Sequence, residues 1–194
     1  MTVDFGLVPL GSIGSTVFHD ENNNGQLDPG EETVADKGKT VELTLLDTAG
    51  NVIATTTTDA NGSYVFDNLL PGDYIVEFIP PASLPVSSGP TDTQDNQQDD
   101  DDNGIQQDTN GDGITDGPIT SPVITLSPGT EPTNEPGING TKGGIDESGD
   151  NTIDFGLIGC LEISGEAFMD ANSNGCLDTN EVPIPDVDLS LIHI

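Results

Sequence analysis

Positive charge is almost absent from this 194-residue chain: Lys and Arg total 3 against 35 Asp and Glu, for a formal net charge of -32. A field of that sign repels nucleic acid and anionic membrane surfaces and attracts cations. Aromatic residues make up only 4% of the chain and Trp is missing, so any core is lean. No apolar run approaches the ~20 residues needed to span a membrane, so membrane insertion is not expected. Cysteine occurs twice, at Cys160 and Cys176, without CxxC-type zinc spacing. Histidine also occurs twice, as His19 and His193, and no Ser/His/Asp set can be assembled around His19. Carboxylates are abundant, but they sit in loops, where they serve as ion ligands rather than as an acid/base pair in an apolar cleft. The chain therefore reads as a protein that is not an enzyme.

Turn formers are plentiful. With 24 Gly and 14 Pro the chain has many turns and few helices. The acids are clustered rather than spread, as in Asp99-Asp100-Asp101-Asp102-Asn103-Gly104. A solvated acidic surface would distribute Glu along element faces. Clusters of Asp, Asn and Gly point instead to dedicated cation binding.

An internal repeat organises the chain. Thr2-Val3-Asp4-Phe5-Gly6-Leu7 returns as Thr152-Ile153-Asp154-Phe155-Gly156-Leu157, an offset of 150. The same offset places Phe18 and Asp20 on Phe168 and Asp170, and Asn22, Asn24, Gly25, Leu27, Asp28 and Glu31 on Asn172, Asn174, Gly175, Leu177, Asp178 and Glu181. Residues 1–10 read as the final strand of a preceding repeat, 11–158 as one complete repeat, and 159–194 as the truncated start of the next.

Within the complete repeat, short alternating runs bounded by turn residues predict strands at 13–18, 40–46, 52–58, 63–66, 73–79, 123–126 and 152–157. Asn61-Gly62 predicts a hairpin turn. Val41, Leu43 and Leu45 share one face, as do Tyr64 with Phe66, and Tyr74 with Val76 and Phe78. Residues 80–120 offer no convincing core segment. A stretch of that length without structure counts against a compact domain unless ions order it.

Ion-ligand spacing is present. Asp20, Asn22, Asn24, Asp28 and Glu31 occupy positions 1, 3, 5, 9 and 12 of a 12-residue loop, with Gly25 at position 6 and the Gln26 carbonyl at position 7. This is the EF-hand ligand pattern for Ca2+, a hard cation that takes six to eight oxygens. The flanks read as strands, so the helix pair of an EF-hand switch is not expected. The next repeat carries the pattern again in Asp170, Asn172, Asn174, the Cys176 carbonyl, Asp178 and Glu181. A second cluster in the complete repeat holds Asp108, Asn110, Asp112, the Ile114 carbonyl and Asp116, with no ligand at position 12. Asp99, Asp101 and Asn103 form a weaker half-loop, and Asp92 and Asp95 are available to complete either this half-loop or the 108–116 cluster. A dockerin-like reading of 108–116 would need a helix after the loop, and 118–126 reads as turn and strand.

Several segments together resemble the SdrD B-like repeats of serine-aspartate-rich bacterial adhesins, related to collagen-adhesin B-type modules. They are Gly14-Ser15-Thr16-Val17-Phe18-His19-Asp20 running into the first loop, Asp59-Ala60-Asn61-Gly62-Ser63-Tyr64-Val65-Phe66, Leu70-Pro71-Gly72-Asp73-Tyr74, Asp101-Asp102-Asn103-Gly104-Ile105, Ser121-Pro122-Val123-Ile124-Thr125-Leu126 and Asp154-Phe155-Gly156-Leu157. The resemblance implies an all-β, Greek-key β-sandwich (immunoglobulin-like or prealbumin-like) in a tandem repeat. It also implies calcium-dependent folding and a spacer or stalk role at the extracellular cell surface or cell wall. Neighbouring repeats of the same chain are the expected partners. The alternative is an adhesion module that grips a host protein or glycan. Some collagen-adhesin relatives carry a Lys–Asn isopeptide bond from the first strand; residues 12–18 hold no Lys, so none is expected, and Lys37 and Lys39 read as solvated charges. His19 reads as pointing away from the ligand side of its strand. Cys160 and Cys176 replace Leu10 and Gln26 of the preceding copy together. A disulfide and two free thiols both remain open for them.

Overall fold

The computed structural model describes residues 6–92, 99–111, 115–132, 149–159, 167–171, 179 and 182–185. No described residue is helical. The chain divides into two units, Met1–Cys160 and Leu161–Ile194.

The first unit is built from β1 (Gly11–His19), β2 (Glu32–Thr33), β3 (Glu42–Asp47), β4 (Val52–Thr57), β5 (Ser63–Leu69), β6 (Gly72–Phe78), β7 (Val86–Ser87), β8 (Ile105–Gln106), β9 (Ile119–Thr120), β10 (Ile124–Leu126), β11 (Gly149–Asp150) and β12 (Phe155–Ile158). They form two six-stranded sheets: β11-β1-β12-β7 with β2 and β5 also on β1, and β4-β3-β6-β9-β8 with β10 also on β6. This is the all-β sandwich that the alternating runs predict.

The long strand β1 organises the first sheet. Its first half pairs with β5 antiparallel and with β11 parallel; its second half pairs with β2 antiparallel and with β12 parallel. Ile13 and Val17 are fully buried in the core between the sheets. Leu43 and Leu45 of β3, and Tyr74, Val76 and Phe78 of β6, are buried there too, on the faces their alternation predicts. The few aromatics are used economically. Tyr64 contacts Phe66 and Phe155 at ring separations of 6.0 Å, and Phe155 meets Phe78 edge-on at 5.0 Å, so one ring chain links both sheets. The Tyr64 hydroxyl donates to the Ile153 carbonyl at 2.7 Å, and burial raises its pKa well above the usual phenol value. Phe18 is buried outside this core, against Gly156, where a Cβ would stand 2.9 Å from the ring. That contact explains the glycine in Asp154-Phe155-Gly156-Leu157.

Two expectations are corrected. Asn61-Gly62 does not close a hairpin: β4 pairs in the second sheet and β5 in the first. Here the turn carries the chain between layers. Asp59 Oδ1 accepts the Asn61 and Ser63 amides at 2.7 and 3.1 Å. Gly62 has φ +76, and a Cβ on it would lie 2.6 Å from Thr33 Cβ and 2.8 Å from the Val17 carbonyl oxygen. The turn chemistry was legible, but the partner strand was not, because a local signal cannot report a sheet change.

The second correction concerns 80–120. Leu84 and Ile119 from this stretch are buried core residues, and it contributes β7, β8 and β9. Two-residue strands carry no alternation to read.

In the second unit Phe168 bridges Pro183, Met169 N–H donates to the Val182 carbonyl at 3.1 Å, and Ile184 N–H donates to the Ala167 carbonyl at 2.8 Å. The Phe168–Pro183 bridge is the image, 150 residues on, of Phe18 opposite Thr33.

Gly62→Ala forces a β-carbon into positive φ and against Thr33, and is expected to lower the unfolding free energy by roughly 2–4 kcal/mol. Tyr64→Phe leaves the Ile153 carbonyl unpaired in the core and should cost about 1–2 kcal/mol. Urea titrations of both variants in calcium buffer check this. An unchanged midpoint for Gly62→Ala would mean the crossing is looser than described.

Candidate metal centre

The loop 20–31 closes on its own side chains. The Asp20 carboxylate is buried at 1% exposure. It accepts the Gly25 amide at 2.8 Å and the Asn24 amide at 3.3 Å, which fixes the sharp turn at Gly25. Glu31 reaches back to accept the Glu21 and Asp28 amides at 2.9 and 3.0 Å. The Asn22 and Asn24 carboxamides donate to Asp28 Oδ2 at 2.9 and 2.8 Å, and Asn24 Oδ1 accepts the Gln26 amide at 2.9 Å. So Asp20, Asn22, Asn24, Gln26, Asp28 and Glu31 are joined in one branched hydrogen-bond network. Rotating either carboxamide by half a turn presents its oxygen to the place its NH2 group now faces.

This loop packs against the acidic run that the sequence places 70 residues away. Gln26 bridges Asp101, Leu27 N–H donates to the Asp100 carbonyl at 2.8 Å, and Asp102 N–H donates to the Gly25 carbonyl at 2.8 Å. Gly25 has φ +74, and a Cβ there would stand 2.3 Å from the Pro90 carbonyl oxygen, so no other residue fits beneath the covering segment. Asn23 Oδ1 accepts the Gly89 amide at 3.0 Å.

On its other side the acidic run joins the closing strand. Asp102 bridges Asp154 in parallel. Asn103 N–H donates to the Asp154 carbonyl and the Asp154 amide donates to Asn103 Oδ1, each at 2.9 Å. The Asn103 side chain is thereby held in a backbone pairing. Asp102 accepts the Gly104 and Gly156 amides at 3.0 and 2.9 Å. The Asp154 carboxylate accepts the Thr16 and Asp100 amides, each at 3.0 Å. Asp101, Asp102, Asp150 and Asp154 are all buried. Burial pushes Asp102 up to about 7, and burial together with the Asp92 charge pushes Asp101 up to about 6. Burial also raises Asp154 well above the usual carboxylate range, and raises Asp99, which faces Asp100 and Asp154. Asp101 Oδ1 is buried with no hydrogen-bond partner.

The third cluster is more open. Asp116 accepts the Thr109 hydroxyl at 2.6 Å and amide at 2.8 Å, which hold its carboxyl below the usual range, and Asn110 Nδ2 also donates to it at 2.8 Å. Asp108 accepts the Gly111 amide at 2.6 Å. Asp108, Asn110 and Asp116 therefore come together, while Asp112 and Ile114 lie outside the described residues. Asp170 is described and half-buried; Asn172, Asn174, Cys176, Asp178 and Glu181 lie outside the described residues, as does Cys160.

One further group was not expected. His19 Nδ1 lies 3.7 Å from Glu21 Oε1, and the ligand atoms of His19, Glu21 and Glu32 all fall within 4.8 Å of one another. Lys37 pairs with Glu32 and lies 3.9 Å from Glu21, and its hydrogen bond to Glu32 raises its pKa. His19 thus faces acids, and Lys37 is an ion-pair partner rather than a solvated charge.

Asp102, Asp150 and Asp154 are buried acids to which the loop spacing does not point. Asp154 had a signal: an acid set between apolar residues in a strand, repeated as Asp4 at the offset of 150.

Without divalent ions, the buried carboxyls set the pH dependence. The unfolded chain titrates them near ~3.9, whereas the folded values of Asp101 and Asp102 are about 6 and about 7. Their contribution to stability is full below the unfolded value and is lost as pH rises through 6 and 7. The melting midpoint in chelator should therefore fall from pH 5 to pH 8 and then level off, and Asp102→Asn should flatten that slope. A midpoint that climbs over this interval would show that these carboxyls are not in low dielectric.

The model of the SdrD B-like domain matches residues 11–116. Colossin-A of Dictyostelium discoideum is 53% identical over 89 residues, covering 45% of this chain and 1% of that protein. Serine-aspartate repeat-containing protein I of Staphylococcus saprophyticus is 49% identical over 86 residues, covering 43% of this chain and 4% of that protein. The fibrinogen-binding protein of Staphylococcus epidermidis is 42% identical over 100 residues, covering 49% of this chain and 9% of that protein. The aligned region is thus a small part of each relative. Carrying the strand β1, the ligand loop and the acidic run that the family model spans, the chain belongs to the SdrD B-like domain family.

Proposed function

We propose that the chain is a calcium-stabilised spacer or stalk repeat of a cell-surface or secreted adhesin, with no catalytic role. One observation carries the reading: Asp20, Asp101, Asp102, Asp150 and Asp154 are buried in a chain with 3 cationic side chains in all. Charges taken out of water need a counter-charge or a proton, and a divalent ion supplies the first at extracellular pH. The donor set is all oxygen, which suits Ca2+ over softer metals. In the first loop Asp20, Asn22, Asn24, Asp28, Glu31 and the Gln26 carbonyl would hold one ion. Asp99 and Asp101, with its orphaned oxygen, would hold another beside it. Asp108, Asn110, Asp112, Asp116 and the Ile114 carbonyl are the donors of a third, and the next repeat offers Asp170, Asn172, Asn174, Asp178, Glu181 and the Cys176 carbonyl. Bound calcium would replace the protons that burial otherwise demands, and so lock the loops to the closing strand.

The adhesion reading is favoured by one relative, named for fibrinogen binding. The shared segment is 9% of that protein, so the name does not assign binding to this part of it. Colossin-A shows that the domain also occurs outside bacteria. A spacer fits both settings, whereas a dedicated host receptor site fits only one.

Thermal melts of the whole chain in calcium, magnesium and EDTA, with calorimetric calcium titration, test the proposal. At a calcium concentration 100 times Kd each site adds about 2.7 kcal/mol. Two sites should raise the midpoint by roughly 10–20 °C over EDTA, and Asp20→Ala with Glu31→Gln should remove one site from the titration. A melt indifferent to calcium would reduce the loops to acidic solvation and defeat the reading.

A further inference from the structure

The outer face of the second sheet carries a row of apolar side chains across β4, β3 and β6 to the residue before β10, exposed at its ends and half-buried at Leu46 and Ile75. Leu46 of β3 pairs with Val52 of β4 on one side and with Ile75 of β6 on the other. The β6–β10 register, Tyr74 opposite Ile124, brings Val123 beside Ile75. Val52 is 64% exposed, and Ile53 and Val123 are each 48% exposed. Along β6 the stripe is bordered by Asp73 on one side and Glu77 on the other, both on the outward face with Ile75. Next to it a cavity of about 230 Å³ opens between β3 and β6, lined by Glu42, Thr44, Glu77, Ile79 and Pro81 among others. Of the chain's three lysines, Lys37 and Lys39 are among the described residues, and neither lies on a strand of this sheet.

We propose that this face docks a cationic amphipathic segment of a partner protein, its apolar residues on the stripe and a lysine or arginine side chain in the cavity between Glu42 and Glu77. The methylenes of such a side chain suit the Ile79 and Pro81 wall while its head meets the two carboxylates. Contiguous exposed apolar surface rimmed by charge of one sign marks an interaction site, and the rim selects a partner of the opposite sign. A second copy of this chain would bring the same acids to the same stripe and is repelled. A glycan would want exposed aromatics, and the one ring at the cavity, Phe78, is 2% exposed. The inference deepens the adhesion reading and stands apart from the calcium reading.

Fluorescence anisotropy on the whole chain, in calcium and physiological salt, tests it with two labelled peptides of equal charge, one alternating lysine with valine and one alternating lysine with serine. The lysine–valine peptide should bind at least tenfold more tightly. Glu42→Gln with Glu77→Gln should weaken it at least tenfold, as should Val52→Ser with Val123→Ser. Asp67→Lys, which changes net charge by the same two units from an exposed position on β5, should weaken it less than twofold. Equal binding of both peptides, binding of neither, or an equal loss with Asp67→Lys would overturn the proposal. Melts of each variant in calcium establish that the fold is intact and report on ion locking separately.

Discussion

Asp102 and Asp154 lie side by side across a parallel bridge, both fully buried, and among the described residues no lysine pairs with either of them. The neighbouring strands are arranged around that pair of buried carboxyl groups. Backbone amides from Thr16, Asp100, Gly104 and Gly156 point at the two carboxyl groups, so three distant parts of the chain are oriented by the same acids. Glycine is required where this network draws backbones together, as Gly25 against Pro90 and Gly156 against Phe18 show. A lean core with one short chain of rings leaves the polar network an unusually large share in holding the layers together.

The strands with alternating apolar residues were legible because both their length and their period speak locally. Val41, Leu43 and Leu45, and then Tyr74, Val76 and Phe78, reach the core as the pattern requires. The loop 20–31 was legible as a closed turn for a similar reason: its spacing is a local property, and Asp20 and Glu31 accept amides from within the same loop. What the sequence withheld is long-range. Nothing near Asn61-Gly62 tells that its two strands belong to different sheets. Nothing near Asp101 tells that Gln26 is its neighbour, and Leu84 and Ile119 stand too isolated among polar residues to be recognised as core.

Comparing the two copies separates what the fold needs from what one copy adds. The loop acids Asp20, Asp28 and Glu31 recur as Asp170, Asp178 and Glu181. The ion-pair group does not: His19, Glu21 and Glu32 are replaced by Met169, Ala171 and Val182. Yet the bridge they flank persists, since Phe168 meets Pro183 as Phe18 meets Thr33. The backbone pairing is therefore independent of that electrostatic decoration, and surface charges that merely satisfy one another are free to be exchanged for exposed apolar side chains such as Met169 and Val182.

The parallel pairing of β1 with β12 has a mechanical meaning. The chain enters β1 at Gly11, runs its length, and leaves along β12 in the same direction, with Val17 opposite Phe155 and His19 opposite Leu157. Entry and exit therefore lie at opposite ends of one strand pair. A pull on the flanking chain slides β12 along β1 and loads their hydrogen bonds together, in shear, instead of peeling them apart one at a time. Asp154, whose carboxylate and main chain hold Thr16 and Asn103, sits at the head of the sliding strand and acts as a rivet through both neighbours. Under tension what matters is the rate of forced unfolding rather than the equilibrium margin. A domain with a thin core can in this way be a strong link, provided the rivet is set.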